Sequence, residues 1–218
     1  MLTRYRGGVR TLCRPKDLEN KTPMQILTHA GINTAVLPID MNAVLKSLKI
    51  IAAPTDFKPL EEAKGDELRR LGNIMGMVGI RKDNVVMVYA QNLDISQQRY
   101  VVAHELGHAC NHTSILKEGH ILARYTGILD TEREKVADAF ASELLLPEVG
   151  LEALFGECLD VFNLSGASDD VLRENRRQIL TYISDKSQVP YYVVEDRLLK
   201  LKPHMANCLT CAEEASSS

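Results

Sequence analysis

Five consecutive residues, His104, Glu105, Leu106, Gly107 and His108, are the chain's clearest chemical signal. On a helix the two histidines share one face about 6 Å apart along the axis, so both imidazoles can converge on one metal ion at roughly 2.0 to 2.1 Å. Glu105 then sits beside the first ligand, where its carboxylate reaches a water polarised by the ion rather than the ion itself. A general base for hydrolysis needs that position. The bland alternative is that these side chains decorate a solvated helix face. It fits poorly, because only six histidines occur in 218 residues and the pentapeptide lies inside a well-capped amphipathic segment.

A catalytic zinc site takes three protein ligands and leaves one position open. Glu134 is the preferred third ligand. Asp138, four residues further on the same helix face, can accept the outer N–H of a ligating imidazole. Thr131-Glu132-Arg133-Glu134 also reads as a capping box, in which Glu134 folds back onto its own helix and Glu132 competes as ligand. His112 continues the four-residue series, but by helical rise it sits about 12 Å from His104, so it belongs behind the ligands or on the surface. Asn111 and Ser114 stand where a metzincin needs Gly and His, which excludes that class. Glu118 and His120 have no supporting pattern. For stabilising charge on a reacting carbonyl oxygen, Tyr125, His120 and Arg124 are the nearest polar candidates.

These residues need elements to hold them. Asp94-Ile95-Ser96-Gln97 has the form of a capping box and predicts a helix running to about His112, with Val101, Val102, Leu106 and Ala109 on its buried face. Upstream, Asp40 caps a helix carrying Met41, Val44, Leu45 and Leu48. A short strand, Ile50 to Pro54, follows, and then a charged helical segment from Leu60 to Leu71. The apolar runs Ile74 to Ile80 and Val85 to Ala90 flank Arg81-Lys82-Asp83-Asn84 and predict a β-hairpin. A second helix spans Thr131 to Leu146 and stops at Pro147. After a polar stretch, Ser165 to Asp170, a charged helix runs from Arg173 to Ile183 and a last one from Val189 to Leu201. The fold expected is α+β: a small antiparallel sheet with a hairpin packed on the histidine-bearing helix, followed by a mainly helical C-terminal part.

Composition narrows the function classes. With 26 Lys and Arg against 29 Asp and Glu, the net charge is −3, which argues against broad phosphate binding. Aromatic residues make up 5% with no Trp, a poor platform for stacking bases. The basic cluster Arg4, Arg6, Arg10, Arg14 and Lys16 reads as a solvated face, so direct nucleic-acid binding is not expected. Five cysteines, an odd and uneven set, point to a reducing compartment. No apolar run is long enough for a membrane span, and the basic N-terminus lacks the apolar stretch of a signal peptide. The expectation is a cytoplasmic protein. His204, Cys208 and Cys211 form a loose cluster without a fourth ligand, Cys110 reads as a small buried residue, and His29 as a capped or solvated one.

His-Glu-Leu-Gly-His, followed by Glu134-Lys-Val-Ala137-Asp138-Ala-Phe140-Ala141-Ser-Glu-Leu144-Leu145-Leu146-Pro147, resembles the ImmA/IrrE family of zinc metallopeptidases. The resemblance extends to Pro38-Ile39-Asp40 and to Val189 through Leu198, covering about residues 33 to 202. It leaves residues 1–32 as an N-terminal extension, 33–205 as the peptidase-like domain and 206–218 as a disordered tail. It implies a gluzincin-like site with His104, His108 and Glu134 as ligands of one zinc per chain, Mn2+ being the alternative ion, and Glu105 as base. It also implies a protein substrate, a helix-turn-helix repressor whose cleavage switches on stress-response or mobile-element genes. The competing class is a regulatory or toxin-antitoxin protein that binds a repressor through the same zinc fold without cutting it. Asp138 replaces the usual Asn of the family pattern and Leu146 replaces Met.

Overall fold

The structure is a computed structural model that describes residues 12–62, 72–116, 121–125 and 131–201. The chain enters through α1 (Pro15–Leu18), α2 (Pro23–His29) and α3 (Met41–Leu48). Asp40 caps α3 as its sequence predicts, accepting the Ala43 N–H at 2.9 Å. The sheet strands are β1 (Ile51–Thr55), β2 (Ile74–Arg81), β3 (Asn84–Ala90) and β4 (Ile121–Tyr125), with α4 (Lys58–Glu62) after β1. The rest of the charged segment expected up to Leu71 lies outside the described residues. So do the basic residues Arg4, Arg6 and Arg10, the cluster His204, Cys208 and Cys211, and the C-terminal tail.

The hairpin turns more tightly than its four polar residues suggest. Arg81 and Asn84 still pair, and only Lys82 and Asp83 form the turn, both with positive φ (50° and 60°). That geometry matches the right-handed twist of the flanking strands. The strand order is β1-β3-β2-β4. The sheet is mixed, which corrects the expectation of an antiparallel one: β1 runs parallel to β3, and only the β2–β3 and β2–β4 pairs are antiparallel. The cause is connectivity. From β1 the chain passes β3's position to β2, which runs opposite to β1, and the β2–β3 hairpin then turns back to set β3 between them, parallel to β1.

Ala52, Met87, Val78 and Leu122 lie opposite one another across the four strands and form a row directed at the core. Against this face packs α5 (Ile95–Asn111), and on the other side of α5 packs α6 (Glu132–Leu145). A helix held on two sides has little surface left. Tyr100 through Cys110 are all buried, His104, Glu105 and His108 included, and not only the single face marked by Val101, Val102, Leu106 and Ala109. Pro147 ends α6 and becomes the N-cap of α7 (Glu148–Val161). α8 (Asp169–Glu174), α9 (Arg176–Ser187) and α10 (Tyr191–Leu201) complete the helical C-terminal part, two helices standing where one was expected between Arg173 and Ile183.

Residues set apart in the sequence as an extension contribute Cys13, Leu18, Ile26 and Leu27 to the same core. Cys13, Cys110 and Cys158 are free and buried, and burial pushes their thiols up to about 11, 12 and 11, so they pack as apolar groups. Among the described residues, no helix is long and apolar enough to cross a membrane.

The register of α5 starts at its cap. Asp94 accepts the Gln97 N–H at 2.9 Å, and Gln97 returns its side-chain oxygen to the Asp94 N–H at 3.3 Å. The Gln97 backbone bond and then the Ser96 hydroxyl hold the Asp94 carboxyl below the usual carboxylate range. A lowered folded-state pKa stabilises the fold above the unfolded value of about 3.9, and that contribution fades as pH falls through the folded value. Asp94→Ala is expected to lower the unfolding free energy by about 1 kcal/mol at pH 7, measured by urea denaturation, with the gap to wild type narrowing below about pH 4.

Candidate metal centre

His104 and His108 sit one turn apart on α5 with ring centroids 4.6 Å apart and planes nearly perpendicular. Glu134, in the first turn of α6, spans them: its Oε2 lies 3.1 Å from His104 Nε2 and its Oε1 lies 3.2 Å from His108 Nε2. One atom from each of these residues falls within 4.8 Å of the others. The capping-box reading of Glu134 holds only in part. Thr131 accepts the Glu134 backbone N–H at 3.3 Å, but the Glu134 carboxylate turns to the imidazoles instead of folding back. Glu132 does not compete, since its side chain is 89% exposed and faces Lys135.

Behind His104 stands Asp138. Its Oδ1 lies 2.7 Å from His104 Nδ1 and also accepts the Tyr100 hydroxyl at 2.8 Å and an Arg124 guanidinium N–H at 2.7 Å. Arg124 is also 2.6 Å from His104 Nδ1. For Nε2 to keep its lone pair free for an ion, the neutral ring must carry its proton on Nδ1, so His104 Nδ1–H and the Arg124 N–H both donate to Asp138 as their common acceptor. The carboxylate in place of the family pattern's Asn thus has a cation to balance it. Burial raises the Asp138 pKa, yet the His104 bond and the Arg124 charge outweigh it and bring it down to about 2. Glu134 follows the same pattern: burial opposes its charge, but the bonds from His104 and His108 hold it well below the carboxylate range. Burial also disfavours charge on both imidazoles, and it lowers the pKa of His108, whereas Asp138 and Glu134 reverse the outcome at His104.

Glu105 packs against β2 at Gly76, close enough to His104 and Glu134 to feel their charge. It is 1% exposed, and neither carboxylate oxygen has a hydrogen-bond partner. Burial pushes its pKa up to about 8. Space for it comes from Gly76, where a Cβ would lie 2.3 Å from Val101 Cγ1 and 3.0 Å from Glu105 Oε1. A glycine inside a strand is a sign of close approach, and here the approach is between β2 and α5. Gly107 does the corresponding work on the α6 side: a Cβ there would lie 3.1 Å from the Cα and the carbonyl oxygen of Ala137, so its absence lets α6 come near enough for Glu134 to reach the imidazoles.

Two imidazole nitrogens and a carboxylate form the donor set of a catalytic zinc site, and a buried carboxylate with both oxygens unpaired lies beside them. The residues present therefore fit a divalent ion. His112 lies behind His108, their Nδ1 atoms 3.2 Å apart, so it does not join the set. Of the candidates for stabilising a carbonyl oxygen, Arg124 is engaged with Asp138, and His120 and the Tyr125 side chain lie outside the described residues. Sequence reasoning passed over Tyr100 and Gly76. Tyr100 was detectable as the residue one turn before His104 on the same face, and Gly76 as an interruption of a strand.

Replacing Gly76 by Ala is expected to destabilise the protein by about 1–3 kcal/mol, because the added methyl meets a buried β-branched side chain and the Glu105 carboxylate. A matching fall in thermal midpoint and a shift of the Glu105 carboxyl signal by NMR would be observed together. An unchanged midpoint would contradict the contact.

Residues 57–159 match the model of the Peptidase_M78 family, described as an IrrE N-terminal-like domain. The matched span contains β2, β3, α5, β4 and α6, hence every residue of the site. No curated protein and no solved structure matches the chain.

Proposed function

We propose that this chain, which carries an IrrE N-terminal-like domain of a peptidase family, is a zinc-dependent endopeptidase that cuts a peptide bond in a specific protein. The observation that carries the reading is the convergence of His104, His108 and Glu134 beside a Glu105 that is buried with both oxygens unpaired. His104 Nε2, His108 Nε2 and one Glu134 oxygen would hold the ion. When bound, a divalent ion supplies Lewis acidity: it polarises the scissile carbonyl and eases deprotonation of a water.

The remaining steps belong to the protein. Asp138 accepts the Nδ1 proton of His104, fixing the tautomer that leaves Nε2 free and holding the ring in place. Tyr100 and Arg124 bind the same Asp138 oxygen and keep it from rotating. Glu105 takes the proton of the attacking water at a carboxylate oxygen and returns it to the leaving amine. Its apolar surroundings raise its basicity toward neutral pH, where a general base works best.

The family resemblance supports a helix-turn-helix repressor as substrate and the cytoplasm as the place of action. A non-proteolytic regulator would keep the ion and the partner but have no use for a buried base, so Glu105 separates the two readings. Glu105→Gln is expected to bind one zinc per chain, measured by elemental analysis, and to lower turnover about 10²- to 10⁴-fold. Co-expression with a candidate helix-turn-helix repressor from a neighbouring gene, followed by mass spectrometry, should show a single cut with wild type and none with Glu105→Gln. A cut made equally by both would sink the mechanism. Glu134→Ala is expected to lose zinc during dialysis that leaves the wild-type protein loaded.

A further inference from the structure

The two histidines of the site are backed by different chemistry. His104 has a carboxylate behind it, whereas His108 has another imidazole, with 3.2 Å between its Nδ1 and that of His112. Among the described residues no other hydrogen-bond partner meets His108 Nδ1. We propose that His112 is the positioning residue of His108: it accepts the His108 Nδ1 proton on its own Nδ1, and so leaves His108 Nε2 free to bind the ion. This assignment rests on the metal reading above.

Tautomer chemistry fixes the direction of the bond. A neutral His108 whose Nε2 keeps its lone pair for the ion carries its proton on Nδ1. The atom it faces must then be an acceptor, which requires His112 to be neutral with its proton on Nε2. Two unprotonated nitrogens would repel each other at 3.2 Å, and so would two protonated ones. One proton position therefore dictates the other, and the pair behaves as a single unit.

The backbone holds His112 where this bond needs it. Its N–H donates to the His108 carbonyl at 2.9 Å, closing α5, and its own carbonyl accepts the N–H groups of Ile115 at 3.0 Å and Leu116 at 3.3 Å. Asn111 secures the same turn by donating its side-chain amide to the Gly107 carbonyl at 2.9 Å. The rings of His108 and His112 lie 5.2 Å apart between centroids. The four-residue spacing thus places His112 as support for the second ligand rather than as a third one.

The test compares zinc affinity by competition with a chromogenic chelator in wild type, His112→Leu and His112→Asn. Leucine offers no acceptor, whereas Asn Oδ1 occupies nearly the position of the histidine Nδ1. His112→Leu is expected to bind zinc about 10- to 100-fold more weakly, and His112→Asn to recover most of that loss. Equal affinity of His112→Leu and wild type would overturn the assignment, as would His112→Asn binding no better than His112→Leu. A second measurement needs no variant. Long-range ¹H–¹⁵N correlation spectra of zinc-loaded wild type should show His112 protonated on Nε2, and a proton on its Nδ1 would overturn the assignment. Wild type that fails to take up one zinc overturns the metal reading itself, whereas normal zinc uptake with an indifferent His112 overturns only this inference.

Discussion

A helix buried on every side while carrying two imidazoles and a carboxylate sets the terms for the rest of the molecule. Between Tyr100 and Cys110, α5 meets the sheet on one side and α6 on the other, so its polar side chains cannot turn to bulk water. Each must find a partner inside or bear a desolvation cost of about 1–3 kcal/mol, more if charged. His104 is met by Asp138 and Glu134, and His108 by Glu134 and His112. Glu105 alone has no partner, and its raised pKa records that cost. A buried carboxylate with both oxygens unpaired beside three potential ligands is more economically explained by chemistry than by stability.

Two glycines control how closely the layers approach. Gly76 lets β2 settle onto α5 at Val101 and Glu105, and Gly107 lets α6 settle onto the opposite side at Ala137 and Phe140. Neither glycine has an unusual φ, so neither is needed for conformational freedom. Both are needed because a methyl group would displace backbone or packed side chains. The distance from Glu134 to the imidazoles is thus a consequence of main-chain packing, and a rigid interior transmits any change in that packing to the site.

Asp138 joins three elements through a single oxygen: α5 by His104 and Tyr100, β4 by Arg124, and α6 by its own backbone. Such a junction favours a carboxylate over an amide because one of its donors is a cation, and charge-assisted bonds are shorter and stronger. The network also anchors β4, an edge strand whose register against β2 carries an irregularity between Ile74 and Gly76. Arg124 pairs with Gly76 across that register, so the residue that gives Glu105 room and the residue that balances Asp138 are cross-strand neighbours.

Much of this was legible from the sequence, and the reason lies in which interactions are local. The four-residue spacing of His104 and His108, the caps at Asp40 and Asp94, the hairpin and the stop at Pro147 all depend on contacts within a few residues, so residue type and spacing suffice to read them. The partnership of Glu134 and Asp138 was accessible because both fall on one face of one helix. Tertiary packing decided the rest. It turned Glu134 away from its own cap, sent Glu132 to solvent, placed β1 parallel to β3 and buried α5 on all sides. None of these follows from local preference, because each depends on how closely two distant segments approach, and that distance is fixed only when the whole core closes around α5.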